Sequence, residues 1–244
     1  MPRTMNYPEN ILRWKKQLVA LAAEPYRRAG RFAWHFARGK LGGDPVFLGI
    51  LRQGLIASNS QILDLGCGQG LLAAWLHAAH ALSSSGNWPQ GWPPAPVQLT
   101  IRGIELMPRD VQRGQLALGS GATIKQGDIR TAEFGQADIV VILDVLHYMD
   151  YAAQDAVLRR VRAALPVHGI LLMRIGNADS GWRFRLSNCV DSLVALARGH
   201  GMVRLHGRSL AQWHMALEQL GFTVEQIPMS EGTPFANILL VGRV

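Results

Sequence analysis

Ile62-Leu63-Asp64-Leu65-Gly66-Cys67-Gly68-Gln69-Gly70 reads as a short buried strand that turns on glycines into a helix beginning near Leu71. Three glycines at alternate positions remove side chains where the backbone must turn tightly and approach a ligand. The helix that follows points its unpaired N–H groups at whatever binds in the turn. Asp64 stands two positions before the first glycine. A dinucleotide site would carry GxGxxG. Here the spacing is GxGxG, and Leu71 occupies the place of the third glycine. An acidic strand end is a poor host for a pyrophosphate and suits a ligand with a positive centre and an amine.

The chain around this turn has 244 residues, 48% of them hydrophobic and 17% charged. That is enough for one α/β domain with a full core and an added cap, and it excludes a disordered chain. The net charge of +8 favours an acidic partner, whether nucleic acid, anionic membrane, acidic carrier protein or anionic small molecule. Cys67 and Cys189 belong to no CxxC pair, so neither a metal site nor a disulfide framework is expected. The N-terminal residues lack a signal-type apolar core, and no apolar run reaches membrane-spanning length. A cytoplasmic location is expected.

Upstream of the turn, residues 10–56 read as helical. Ile11, Leu12, Leu18, Leu21 and Ala22 recur at roughly helical spacing. Residues 26–40 are basic and aromatic together, from Tyr26-Arg27-Arg28 through Phe32, Trp34 and Phe36 to Lys40. Two readings stand: a surface for anionic lipid, carrier protein or RNA, or a helix that packs its aromatics inward and leaves its arginines solvated. Gly42-Gly43-Asp44-Pro45 breaks the pattern, with Asp44 as N-cap and Pro45 in the first turn of the next helix.

Downstream, strand one at 61–65 and a helix at 70–82 lead to a loop at 83–96 rich in Ser, Gly, Trp and Pro. Trp88 and Trp92 in it either meet a partner or fold back on the domain. Strand two, 98–104, ends at Glu105, where a carboxylate can accept both ribose hydroxyls of an adenosine. Strand three (122–125) leads to Gly127-Asp128-Ile129. Strand four, 137–143, is a continuous apolar run of central parallel type that ends in Asp144-Val145-Leu146-His147-Tyr148. A helix (151–165), strand five (170–175), an insertion at 176–208, a helix at 209–220 capped by Ser209 and two closing strands complete the chain. The insertion lies on the side where ligands bind in open α/β sheets and reads as a substrate-facing cap.

The glycine turn, with Glu105, Asp128 and Asp144 at successive strand ends, resembles class I S-adenosylmethionine (SAM) dependent methyltransferases across residues 60–175. The resemblance implies a Rossmann-like α/β fold: a seven-stranded, mostly parallel sheet with helices on both faces. It would carry an N-terminal helical extension (1–57) and a catalytic domain (58–244) with its cap insertion. It implies S-adenosyl-L-methionine as cofactor, held by Asp64, Gly66, Cys67, Gly68, Gly70, Glu105, Leu106, Asp128, Ile129, Asp144 and Val145. In this likeness Asp128 takes the adenine amino group, Ile129 packs on the ring, and the 144–149 turn lies beside the reactive methyl. His147 is a candidate base and Tyr148 a candidate for orienting an acceptor. Trp182, Arg183 and Arg185 in the cap are candidate substrate contacts, the arginines suited to a carboxylate or phosphate.

Three functional readings compete. In the first, the enzyme methylates a small aromatic or acyl compound, free or on an acidic carrier protein. Residues 39–47, Gly-Lys-Leu-Gly-Gly-Asp-Pro-Val-Phe, with the basic helix before them, are similar to methyltransferases of bacterial aryl polyene (xanthomonadin-like) pigment clusters. That likeness would imply a role in secondary metabolism. In the second, the charge serves an RNA methyltransferase, but Asp-Val-Leu-His replaces the Asn/Asp-Pro-Pro-Tyr/Phe clamp for a planar amine. In the third, the fold binds SAM without catalysis.

Overall fold

In the computed structural model, which describes residues 8–176, 205–229 and 237–244, seven strands are formed. They are β1 (Gln61–Leu65), β2 (Thr100–Glu105), β3 (Thr123–Gln126), β4 (Ile139–Leu143), β5 (Ile170–Gly176), β6 (Thr223–Pro228) and β7 (Asn237–Arg243). They make one sheet in the order β3-β2-β1-β4-β5-β7-β6. β2 pairs in parallel with both β1 and β3, and β4 with β5, while β7 runs antiparallel to β5 and β6. The seven-stranded, mostly parallel sheet is therefore as expected. The chain divides into two compact units, one up to Glu133 and one from Phe134 onward.

In the first unit the helical extension belongs to the same compact body as β1–β3. It consists of α1 (Glu9–Ala23), a 3₁₀ segment (Glu24–Ala29), α2 (Arg31–Gly43) and α3 (Pro45–Arg52). Gly30, at φ 103°, separates the 3₁₀ segment from α2. Asp44 caps α3, its side chain accepting from the Val46 N–H at 3.1 Å, with Pro45 in the first turn. α2 turns a narrow face of Ala33, Ala37 and Leu41 inward, small enough for close approach to α1.

α4 (Leu71–Ser84) buries Leu71, Leu72, Ala73, Ala74, Trp75, Leu76, Ala78 and Ala79, on nearly every side. A helix that apolar must be covered all round, and α1 and α2 supply part of the cover. Trp75 is fully buried and its indole N–H donates to the Phe47 carbonyl at 2.8 Å. The loop after α4 closes on α1. The Trp14 indole donates to the Asn87 carbonyl at 2.9 Å, and its ring meets Trp88 and Trp92 edge-on at 5.4 and 5.3 Å. Of the two readings of those loop tryptophans, the structure shows them folded back. α5 (Pro108–Leu118) leads from β2 to β3 and packs on the 3₁₀ segment.

In the second unit, α6 (Tyr151–Ala164) is capped by Asp150, which accepts from the Ala153 N–H at 2.8 Å. α7 (Leu210–Gln219) begins with a reciprocal capping box of Ser209 and Gln212, as a serine at that position leads one to expect. Residues 177–204 of the expected cap, including Trp182, Arg183, Arg185 and Cys189, lie outside the described residues. Among the described residues no helix is long and apolar enough to cross a membrane.

Candidate functional site

Gly66, Gly68 and Gly70 all adopt positive φ, at 72°, 56° and 78°, a conformation that side chains resist. The turn wraps the end of β2. The Ile104 carbonyl accepts from the N–H groups of Gly66 (2.8 Å) and Cys67 (3.3 Å). Glu105 is held through both oxygens, by the Gly68 N–H at 2.8 Å and the Met107 N–H at 2.9 Å. A Cβ on Gly70 would lie 2.6 Å from Leu118 and 2.7 Å from Ile124, so this glycine is demanded by packing as well as by φ. A Cβ on Gly68 would meet nothing within 4 Å, so Gly68 presents open backbone. α4 starts at Gly70 with no side-chain cap, leaving its first N–H groups to the turn.

Asp64 and Glu105, at the ends of neighbouring strands, are both buried. Burial, and then the charge of Glu105, push the Asp64 carboxyl up to about 7. Two carboxylates withdrawn from water repel each other and call for a cationic partner. S-adenosylmethionine offers an ammonium, a sulfonium and ribose hydroxyls. Buried acids beside an open glycine backbone fit that group. Cys67 contributes main chain to the turn, while its sulfur packs on β2: a Cβ on Gly103 would lie 2.5 Å from Sγ. Burial and the two acids hold its thiol well above the usual range, which makes it a poor nucleophile.

The remaining expected contacts of this unit are placed as follows. Leu106 is about half exposed directly after Glu105. The Asp128 carboxylate is gripped by Arg130, whose Nε lies 3.0 and 2.9 Å from its two oxygens. That pairing lowers its pKa. Ile129 is buried.

In the second unit, Asp144 closes β4 in the left-handed region, at φ 59°. Arg174, buried on β5, grips both of its carboxylate oxygens, with Nε to Oδ1 at 2.7 Å. The turn continues through Val145 into a 3₁₀ segment, Leu146–Tyr148. The His147 and Tyr148 rings lie 4.2 Å apart. Burial lowers the His147 pKa; the Asp144 charge opposes that and Arg174 adds to it. The imidazole is therefore neutral near pH 7.

Gln154, fully buried on α6, brings its amide nitrogen to the carbonyls of Leu146 (3.1 Å), Met149 (2.9 Å) and His206 (2.8 Å). The His206 N–H donates to the His147 carbonyl at 2.8 Å. The 144–149 turn is thus held to α6 and to the segment around His206. Sequence reasoning passed over Arg174 and Gln154. A lone arginine in Ile-Leu-Leu-Met-Arg-Ile was the available clue, since a charge in a buried strand needs a partner.

Residues 33–227 match the family model described as "Methyltransferase domain". A carboxy-S-adenosyl-L-methionine synthase from Chromohalobacter salexigens is 28% identical over 131 residues, which are 52% of this chain and 43% of that protein. An O-methyltransferase family protein from Burkholderia thailandensis has the same fold, with TM-score 0.60 and 18% identity over 89% of this chain and 61% of that one. Human N-acetylserotonin methyltransferase in complex with SAM gives 0.58 and 19%, over 91% of this chain and 58% of that one. The matches thus span less than two thirds of the length of each of these proteins. With most of its length matched by the family model, and with a glycine turn and buried acids suited to a sulfonium ligand, the chain belongs to the methyltransferase-domain family.

Proposed function

We propose that this protein is a SAM-dependent methyltransferase acting on a small aromatic or acyl acceptor, free or held on an acidic carrier protein, in secondary metabolism of the aryl polyene pigment type. The observation that carries the methyl-donor half is the pair of buried acids, Asp64 and Glu105, beside the open backbone of Gly68. When bound, SAM supplies an electrophilic methyl on a positive sulfur. Asp64 and Glu105 hold its cationic and hydroxyl groups, and the glycines let the main chain approach.

The acceptor half rests on the 144–149 rim and the 176–208 insertion. His147, neutral and partly buried, is able to accept a proton from an acceptor hydroxyl. Tyr148 orients the acceptor. Asp144 is committed to the Arg174 fork and acts by shaping the turn. Trp182, Arg183 and Arg185 are the acceptor contacts assigned in this reading.

The carrier-bound form is supported by the surface of the 3₁₀ segment and α2. There Arg28, Arg31 and Arg38 are exposed beside Phe32, and Arg27 and Arg38 stack on Trp34 at 4.2 and 4.7 Å. Incubation with methyl-labelled SAM and a cell extract tests the whole reading. Label is expected in a small-molecule or carrier-protein fraction. Label in RNA would replace the acceptor assignment, and binding without any label transfer would leave a SAM-binding protein. His147→Ala is expected to lower turnover at least tenfold with SAM affinity unchanged.

A further inference from the structure

Tyr26 and Gln69 lie 43 positions apart and meet in the interior. Tyr26 is fully buried, and its hydroxyl donates to the main-chain carbonyl of Gln69 at 2.8 Å. The Gln69 side chain, also buried, donates from Nε2 to the Ala33 carbonyl in the first turn of α2 at 3.0 Å. The same Gln69 carbonyl is approached from a third side by α5: a Cβ on Gly114 would lie 3.0 Å from it. The other amide oxygen, Oε1, is buried with no hydrogen-bond partner.

Gln69 therefore sits at a junction. On its N-terminal side is Gly68, whose N–H is tied to the Glu105 carboxylate. On its C-terminal side is Gly70, the left-handed residue that opens α4. A ligand that draws the Glu105 carboxylate toward its own hydroxyls alters the bond to Gly68. That displacement reaches Gln69 directly, and through it the 3₁₀ segment and α2. Two hydrogen bonds and one close contact leave little slack, while the unsatisfied Oε1 leaves the junction short of its best-bonded arrangement.

We propose that Tyr26 and Gln69 are positioning residues that couple the methyl-donor turn to the N-terminal helices, so that donor binding and seating of residues 24–43 favour each other. The proposal rests on the donor-site reading above. Coupling between two equilibria is reciprocal, so weakening the junction must weaken donor binding by the factor that donor binding tightens the junction. Tyr26 serves as a donor throughout, because burial, and then Cys67 and Asp64 nearby, push its hydroxyl pKa far up.

The test is hydrogen exchange and calorimetric titration on the full chain, using S-adenosylhomocysteine as the probe. In the unsubstituted protein, the probe is expected to slow amide exchange in residues 66–72 and also in residues 31–43. Tyr26→Phe keeps the ring and removes the donor. It is expected to weaken probe affinity about fivefold, the worth of one such hydrogen bond. At saturating probe it should retain protection of 66–72 and lose the probe-dependent part in 31–43. Gln69→Met, which keeps the side-chain length, is expected to do the same and serves should Tyr26→Phe not fold. Binding with protection confined to 66–72 would overturn the coupling and leave the donor site standing. Unchanged affinity in both variants would do likewise. No binding by the unsubstituted protein would overturn the donor site and the coupling together.

Discussion

Asp64 carries a pH dependence whose sign follows from its surroundings. Its carboxyl titrates near 7 in the fold and near the ordinary 3.8 when the chain is unfolded. Between those values the folded protein binds the extra proton. Its stabilising effect is complete below about pH 4 and is lost as pH rises through 7. A cationic ligand prefers the ionised acid, so SAM affinity should rise with pH, by at most about tenfold per unit below pH 7, and level off above it. Titration calorimetry between pH 5.5 and 8.5 measures the affinity, and thermal melts of the ligand-free protein over the same range should show the opposite slope. Asp64→Asn should flatten both. Arg174 is the matching case in the second unit. Arg174→Met leaves the Asp144 carboxylate beside a buried apolar strand, at a cost of about 3 kcal/mol. Chemical denaturation measures it, and Asp144→Asn in the same background should restore part of the loss.

At the scale of elements, β2 and the glycine turn are fitted to each other through one sulfur. Gly103→Ala would press a methyl group into Cys67 Sγ. Overpacking of that kind costs about 1–3 kcal/mol. Cys67→Ala makes room, so the double variant should be more stable than Gly103→Ala alone. A double-mutant cycle of denaturation free energies reads the difference. The elements themselves were largely legible in the sequence. β1 falls at 61–65 as read, and the caps at Asp44 and Ser209 come from short polar residues ahead of apolar runs. Their contacts across the fold were not legible. Asp144 meets Arg174 thirty positions on, and Gln69 meets Ala33 thirty-six positions back. Nothing local in either stretch specifies those partners, because only the completed sheet and helix packing bring them together. Asp64 and Glu105 were singled out because ligands bind at strand ends in open α/β sheets. Gln69 was not, because its side chain turns away from the open side of its own turn and into the protein.

For the whole molecule, the helical extension is part of the first unit's core. Trp14, Leu18, Tyr26, Leu41, Val46, Phe47 and Ile50 are all at least nineteen-twentieths buried. Each such side chain contributes about 1.5–3 kcal/mol by leaving water. Removing residues 1–57 would therefore uncover α4 and Trp75, and the remainder should lose cooperative unfolding in a circular-dichroism melt. The indoles that join α1 to the loop after α4 also have an optical consequence. Trp14, Trp88 and Trp92 hold their rings 5.3 to 6.2 Å apart and steeply inclined. Chromophores that close, in a fixed chiral arrangement, exchange excitation and split one another's absorption. The protein thus carries its own near-ultraviolet gauge of whether its first helix is in place, readable without attaching a dye.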